Sequence, residues 1–412
     1  MTAVIMAGGK GTRIRSINNE VPKPMIPVCG KPILEHQIAR LKENGITDII
    51  LMVGYLGEVI KEYFLDGKQL GVTVSYIEEK EPLGTAGAMY LLKDRVKDDF
   101  LLLNGDIIFD IDINRFYKFH KDKGGVATLF THPNNHPYDS AVIVYDDEMR
   151  IKKWYHKEEP QKDVGNCVNA GIHLFRTEIF RYFAELKKTD LDRDILRPLI
   201  AKERIYAYKS SEYVKDMGTP DRYRQVENDI KSGLVAKRNL SHRQKAIFLD
   251  RDGTLNEYKG FITDADDIVL MDGAAEAVKL INNSEYLAIV VTNQPVIARG
   301  ECTTEGLEKI HNRLERLLGE KGAYLDAIYY CPHHPDRGFE GEVAELKIDC
   351  QCRKPNPGLF FKASQDSNID LSVSYMVGDS DKDVEAGRNA GCKGNYIICN
   401  GQDLVRCITS IL

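Results

Sequence analysis

Twice along this chain, apolar runs rich in β-branched residues alternate with helical patterns, and several of the runs end in polar residues. That alternation is the strongest constraint on the fold. A strand buried on both faces reads as a continuous apolar run, and strand, helix, strand in succession calls for a parallel sheet with helices on its faces. In the first half, 2–6, 48–53, 72–77 and 100–104 read as strands. The segment 32–45 between the first two opens on Pro32 and closes on Gly45, with Leu34, Ile38 and Leu41 on one helical face. The second half restarts the theme at 245–250, 286–291, 326–330 and 374–379. Between them, 226–243 is charged and helix-like, with little apolar patterning after Val235. The expectation is an α/β protein of two Rossmann-like domains, 1–228 and 244–412, joined by a linker at 229–243. No short-period repeat is present.

At 412 residues the chain exceeds a single ordinary core, so length also favours two domains. Hydrophobic residues make up 43% and charged residues 29%, which excludes disorder as the main state. Net charge is −6 and no basic run interleaves with aromatics, so no nucleic-acid partner is expected. The start MTAVIMAGGKG does not resemble a signal peptide, and no apolar run approaches the roughly 20 residues of a membrane span. A cytoplasmic protein with no membrane partner is the expectation, and a homo-oligomer is compatible with it. In that compartment the nine cysteines should be thiols or metal ligands.

Ala7-Gly8-Gly9-Lys10-Gly11-Thr12-Arg13 follows the first strand directly. In an open parallel sheet, ligands bind beyond the carboxyl ends of the strands. Glycines there let backbone N–H groups approach phosphate, and Arg13 can meet phosphate in bidentate fashion. About ten residues later comes Pro22-Lys23-Pro24-Met25-Ile26-Pro27-Val28, a proline-stiffened segment carrying one cation. Together these two motifs resemble the signature of the sugar-phosphate nucleotidyltransferases.

That resemblance implies attack by a sugar 1-phosphate oxygen on the α-phosphorus of a nucleoside triphosphate, with release of pyrophosphate. Positioning and charge neutralisation by Arg13 and Lys23 would dominate, because phosphoryl transfer leaves little covalent work to the protein. Ala7, Gly8, Gly9, Gly11 and Thr12 would cradle the nucleotide. Asp106, in Leu103-Asn104-Gly105-Asp106, and Asp216, in Lys215-Asp216-Met217-Gly218, would share a magnesium ion. Asn169 and Gly171 resemble the sugar-contact segment, and Gly84 and Thr85 the loop beside the base. Many relatives carry Glu-Lys-Pro at the sugar phosphate, whereas this chain has Lys157-Glu158-Glu159-Pro160, with Lys157 the nearest cation. Glu79 is expected to face the base. A carboxylate accepts two adjacent donors well, and guanine offers them as N1–H and the exocyclic amine, which points to GTP.

In the second half, Phe248-Leu249-Asp250-Arg251-Asp252-Gly253-Thr254 ends a strand with two carboxylates two residues apart. Thr292-Asn293, Arg353-Lys354-Pro355 and Gly378-Asp379-Ser380-Asp381-Lys382-Asp383 follow in order. These four pieces resemble the haloacid dehalogenase superfamily. The resemblance implies that Asp250 attacks phosphorus and Asp252 shuttles the leaving-group proton. Thr292, Asn293, Arg353 and Lys354 would bind phosphate. Asp250, Asp379 and the backbone carbonyl of Asp252 would hold magnesium, with Asp383 in support.

Cys331-Pro332-His333-His334 and Cys350-Gln351-Cys352 offer three sulfurs and an imidazole, the donor set of a closed, structural zinc site. Spacing leaves His333 and His334 as alternatives. Such a clip resembles the histidinol-phosphate and heptose-bisphosphate phosphatases. Ile297-Ala298-Arg299-Gly300 is similar to the heptose branch and makes Arg299 a substrate contact, although Pro295-Val296 departs from the Ser-Gly expected there. The two resemblances fit consecutive steps: removal of the 7-phosphate of a heptose 1,7-bisphosphate, then activation of the heptose 1-phosphate with GTP. A mannose-type guanylyltransferase joined to a histidinol-phosphate phosphatase is the rival enzyme reading. A sugar-nucleotide sensor is the non-enzymatic one, against which the retained acidic sets argue.

Overall fold

The computed structural model describes residues 1–9, 21–136, 140–156, 158–159 and 164–412. Arg13, Gly11, Thr12 and Lys157 lie outside the described residues. The described chain forms two compact units. The first comprises Met1–His132, Ile143–Trp154 and Asn169–Asn239. The second comprises Leu240–Leu412 with Pro133–Val142 and Tyr155–Val168. No helix among the described residues is long and apolar enough to cross a membrane.

The first unit is built on seven strands: β1 (Thr2–Met6), β2 (Asp48–Val53), β3 (Thr73–Glu78), β4 (Phe100–Asn104), β5 (Ala127–Pro133), β6 (Cys167–Phe175) and β7 (Ile205–Lys209). Their order across the sheet is β7-β5-β6-β4-β1-β2-β3. Ala3, Val4 and Ile5 are all fully buried, as a central strand covered on both faces requires. Helix α1 (Ile33–Glu43) packs Leu34, Ile38 and Leu41 into the core with Ile5, Leu51 and Leu103. Each such side chain contributes about 1.5–3 kcal/mol on burial. One strand departs from the parallel expectation, because β6 runs antiparallel to β4. An apolar run carries no sign of its direction, so its reversal was not readable.

From β1 the chain moves to β2 and β3 on one side, and β4 then pairs with the other side of β1. The carboxyl ends of β1 and β4 thus flank a topological switch point, the expected ligand crevice of an open α/β sheet. The second unit repeats the device with β8 (Lys245–Leu249), β9 (Tyr286–Asn293), β10 (Ala327–Cys331), β11 (Tyr375–Gly378) and β12 (Gly394–Ile397). Its order is β10-β9-β8-β11-β12, all parallel. Its switch point lies between β8 and β11, whose ends lead into Asp250 and Asp379.

Candidate active sites

At the first switch point, Gly105 donates its N–H to the carbonyl of Met6 at 3.0 Å, and a β-carbon there would meet that oxygen at 2.6 Å. Only glycine allows the β4 turn to close so tightly on β1. Gln37 on α1 bonds the carbonyls of Asn104 and Ile107, each at 2.8 Å, and so braces the turn that carries Asp106. The strand Ile107–Asp110 pairs antiparallel with Tyr213–Asp216, setting Asp216 opposite Ile107. Met217 N–H then donates to the Asp106 carbonyl at 2.8 Å. Two carboxylates far apart in sequence become neighbours in this way.

Lys23 joins them. Pro22 precedes a single helical turn whose Pro24 and Met25 are buried, and this anchoring lets the Lys23 ammonium pair with the Asp106 carboxylate. Asp216 accepts from Arg222 Nη1 at 2.5 Å and from Gly218 N–H at 2.9 Å. Burial pushes the Asp216 carboxyl up. The Arg222 hydrogen bond and charge, with Lys23 and Gly218, outweigh it and hold the group below its ordinary value. Arg222 was missed by the sequence reading. It sits in the first turn of helix α2 (Pro220–Lys231), capped by the Thr219 hydroxyl, and this places it beside the Asp216 loop.

Glu79 follows β3 and lies against the Gly8 backbone, its Oε1 3.3 Å from where a Gly8 β-carbon would stand. Burial pushes its carboxyl up, and a hydrogen bond from Leu83 N–H opposes the shift. The Gly84-Thr85 loop is tied to 189–191: Thr189 N–H donates to the Leu83 carbonyl, and Leu191 N–H to the Thr85 hydroxyl, both at 2.8 Å. The next turns, Leu191–Leu196, are a π-helix. It brings Asp192 within 3.5 Å of Asn169, whose own side-chain oxygen accepts from Gly171 N–H at 3.1 Å. The Gly84-Thr85 loop and the Asn169 strand therefore share one wall. Asp192 was also missed, because Lys187-Lys188-Thr189-Asp190-Leu191-Asp192 reads as a solvated polar stretch.

Burial, with the charge of Asp190, raises the Asp192 carboxyl to about 7. A folded-state pKa above the unfolded one means that this group's stabilising share is present in acid and lost as pH rises through about 7. Asp192→Asn should flatten the fall in melting temperature across that window. An unchanged slope in a thermal melt series over pH would refute the assignment.

In the second unit, Asp250 sits at the end of β8, and Lys354 is buried beneath it. The Lys354 ammonium donates to Asp250 Oδ1 at 2.7 Å, Asp383 Oδ1 at 2.5 Å and the Val291 carbonyl at 2.8 Å, which satisfies its three protons. Asp383 also accepts from the Ser380 N–H and hydroxyl in a capping box at the start of helix α3 (Asp381–Ala390). Carboxylate oxygens of Asp250, Asp379 and Asp383 lie within 4.8 Å of one another. Burial pushes Asp250 and Asp379 up. Lys354 counteracts the shift at both, and the charge of Asp383 adds to it. Three carboxylates against one ammonium leave an excess of negative charge that suits a divalent cation. Gly253 adopts φ +79°, and a β-carbon there would strike Asp379 Oδ2 at 2.1 Å, so the β8 loop can close on Asp379 only with glycine.

The Asp252 carboxylate lies outside that group, bonded by Arg251, Asn256 and Gln294. Thr292 is buried at the end of β9. Asn293 and Lys354 exchange hydrogen bonds at 2.9 and 3.1 Å, so the loop bearing Arg353 and Lys354 is locked to the end of β9. Arg353 donates to the His333 carbonyl at 3.1 Å. Arg299 is stacked between Phe261 and Phe339, its guanidinium 4.5 and 4.2 Å from the ring centres.

Cys331, His333, Cys350 and Cys352 converge. Five of the six pairs among the three sulfurs and His333 Nδ1 stand 3.3 to 3.6 Å apart. Ligands about 2.0–2.3 Å from a tetrahedral zinc would stand roughly 3.5–3.8 Å apart, so the donor set fits. Between the two histidines left open by spacing, His333 enters the cluster. His334 instead accepts from Asp336 N–H at 3.2 Å.

Residues 2–233 match the family described as Nucleotidyl transferase, and residues 351–397 match the one described as HAD-hydrolase-like. The mannose-1-phosphate guanylyltransferase catalytic subunit beta of Danio rerio is 36% identical over 226 residues, 53% of this chain and 62% of its own. The mannose-1-phosphate guanyltransferase beta-A of Xenopus laevis is 34% identical over 225 residues, 53% and 62% of the two chains. This chain therefore spans 62% of the length of either relative. Among solved structures, HddC from Yersinia pseudotuberculosis aligns at 24% identity and a TM-score of 0.49, covering 56% of this chain and 99% of that one.

Proposed function

The chain belongs to the nucleotidyl transferase family, and on that premise we propose that it activates a sugar 1-phosphate in residues 1–228 and hydrolyses a phosphomonoester in residues 244–412. One observation carries the reading: each unit gathers aspartates and a lysine at the switch point of its own sheet, Asp106, Asp216 and Lys23 in one, Asp250, Asp379 and Lys354 in the other.

In the first domain, Lys23 and Arg222 each pair with one of the two aspartates, which would share a magnesium ion that when bound would neutralise phosphate charge. Arg13 and the glycine loop would hold the triphosphate, with Gly84 and Thr85 beside the base. Asn169, Gly171 and Lys157 would face the sugar phosphate. Glu79 would accept from guanine, making GTP the donor. Glu79→Gln should erode the preference for GTP over ATP by about tenfold, since one misplaced hydrogen bond costs roughly 1.4 kcal/mol. Competition assays with both nucleotides check this, and an intact preference sinks the assignment.

In the second domain, Asp250 attacks phosphorus and forms an aspartyl phosphate, while Asp252 gives its proton to the departing sugar oxygen. Water then cleaves the acyl phosphate and Asp252 takes the proton back. Lys354 orients Asp250, and Thr292, Asn293 and Arg353 cradle the phosphate. Asp250, Asp379 and the Asp252 carbonyl would hold magnesium. Cys331, His333, Cys350 and Cys352 would hold a structural zinc that stiffens the Arg353-Lys354 loop.

The sugar we assign is D-glycero-D-manno-heptose: the second domain would release the 7-phosphate of the 1,7-bisphosphate, and the first would take the 1-phosphate onward. The Ile297-Ala298-Arg299-Gly300 loop and the chemical continuity of the two steps support this. The guanylyltransferases among the relatives favour GTP, and they equally favour a second reading in which mannose 1-phosphate is the acceptor. One incubation separates them. The purified protein receives heptose 1,7-bisphosphate, or mannose 1-phosphate, with magnesium and each nucleoside triphosphate. Mass analysis should find GDP-heptose; GDP-mannose alone would replace the heptose reading.

A further inference from the structure

Gln294 is buried to 2% exposure just beyond β9 and has no part in the mechanism above. Its backbone N–H donates to the carbonyl of Cys331 at 2.8 Å, pinning it to the end of the neighbouring strand. Its side-chain Nε2 donates to Asp252 Oδ2 at 2.8 Å and to the Thr292 hydroxyl oxygen at 2.9 Å. One amide thus spends both protons on two different groups of the site.

We propose that Gln294 is a positioning residue that sets the proton-handling carboxylate of Asp252 and the phosphate-binding hydroxyl of Thr292 together. The inference rests on the phosphatase reading of these two residues. The other donors to Asp252 belong to its own loop: Arg251 reaches Oδ1 and Oδ2 at 2.9 and 2.8 Å, and Asn256 reaches Oδ1 at 3.0 Å. They move with Asp252 and cannot register it against the rest of the site. Gln294 comes from a separate strand end, and its partner Thr292 lies on that same strand. By occupying the Thr292 oxygen as a donor, it also leaves the Thr292 hydroxyl proton directed elsewhere, as binding a phosphate oxygen requires. Burial makes the arrangement rigid, since a displaced amide would leave polar atoms unpaired away from water.

The test uses the leaving group. Departure of a sugar alkoxide needs a proton in the transition state, whereas p-nitrophenolate leaves without one. The full chain with magnesium is assayed on heptose 1,7-bisphosphate and on p-nitrophenyl phosphate. Gln294→Leu should lower kcat on the sugar phosphate by about 10–100-fold and on the aryl ester by less than about 3-fold, with KM raised for both. Equal losses of kcat on the two substrates, or no loss on either, overturn the proposal. Asp252→Asn is the control: if it shows no leaving-group selectivity, the proton-handling role itself fails, independently of Gln294. If Gln294→Leu does not fold, Gln294→Met carries the same comparison.

Discussion

Asp250→Asn is expected to cut phosphate release by roughly 10,000-fold or more while pyrophosphate release by the first domain stays at its original rate. The amide matches the carboxylate in size but cannot attack phosphorus. A loss of activity from misfolding would look different, and the structure says why. Burial pushes the Asp250 carboxyl up, so its ionised form is held at a cost to stability near neutral pH. The neutral amide removes that cost, and Lys354 keeps Asp383 and the Val291 carbonyl as partners. The melting temperature should therefore hold or rise as activity disappears, the trade expected where a strained charge serves chemistry. Phosphate and pyrophosphate assays on one preparation, with a thermal melt, test all three parts. A retained phosphatase rate removes Asp250 as the nucleophile. Loss of both activities with a lower melting temperature returns it to a structural role.

Much of this was legible because chemistry and strand ends coincide. β1, β2, β3 and β4 announced themselves as buried runs, and the residues just past β4 and β8 were the acidic ones. Proline on both sides of Lys23 marked a fixed cation before any partner was known. Partnerships across the fold were not legible. Arg222 and Gln37 look like ordinary helix-surface residues until the pairing of Ile107–Asp110 with Tyr213–Asp216 brings Asp216 beside Asp106, in the turn Gln37 holds. Asp192 faces Asn169 only because the chain forms a π-helix there, a local winding with no composition of its own. Gln294 follows Thr292-Asn293 directly, but its bond to Asp252 depends on β8 lying next to β9. Pro133–Val142 and Tyr155–Val168 fall with the second unit although they precede it in sequence, which a reading by contiguous segments cannot anticipate.

Cys352→Ser should reduce bound zinc from about one ion per chain to none and abolish phosphatase activity, again with nucleotidyl transfer intact. The expectation follows from where the four-donor cluster stands, with Cys352 directly preceding Arg353 and Lys354 and His333 bonded to Arg353. Asn356 bonds the Cys350 carbonyl at 2.7 Å, Gly358 N–H bonds the Gln351 carbonyl at 2.8 Å, and Asn293 clasps Lys354. Arg353 adds a bond to the His333 carbonyl, Lys354 its three ammonium bonds and Asn389 one to the Pro355 carbonyl, and the four-donor cluster anchors the segment from which all of these depart. A serine oxygen is a poor substitute for a thiolate toward zinc, and a structural zinc with three thiolates contributes on the order of 10 kcal/mol of binding free energy that is also folding free energy. Once the loop loosens, Lys354 leaves two buried carboxylates unpaired, a disruption worth about 3–5 kcal/mol. Elemental analysis, a thermal melt and the two activity assays should move together: metal lost, the second domain's transition lowered by many degrees, phosphate release gone. Zinc-free protein with full phosphatase activity would show that the cluster is four thiol and imidazole groups packed together, and that the loop is held by its hydrogen bonds alone.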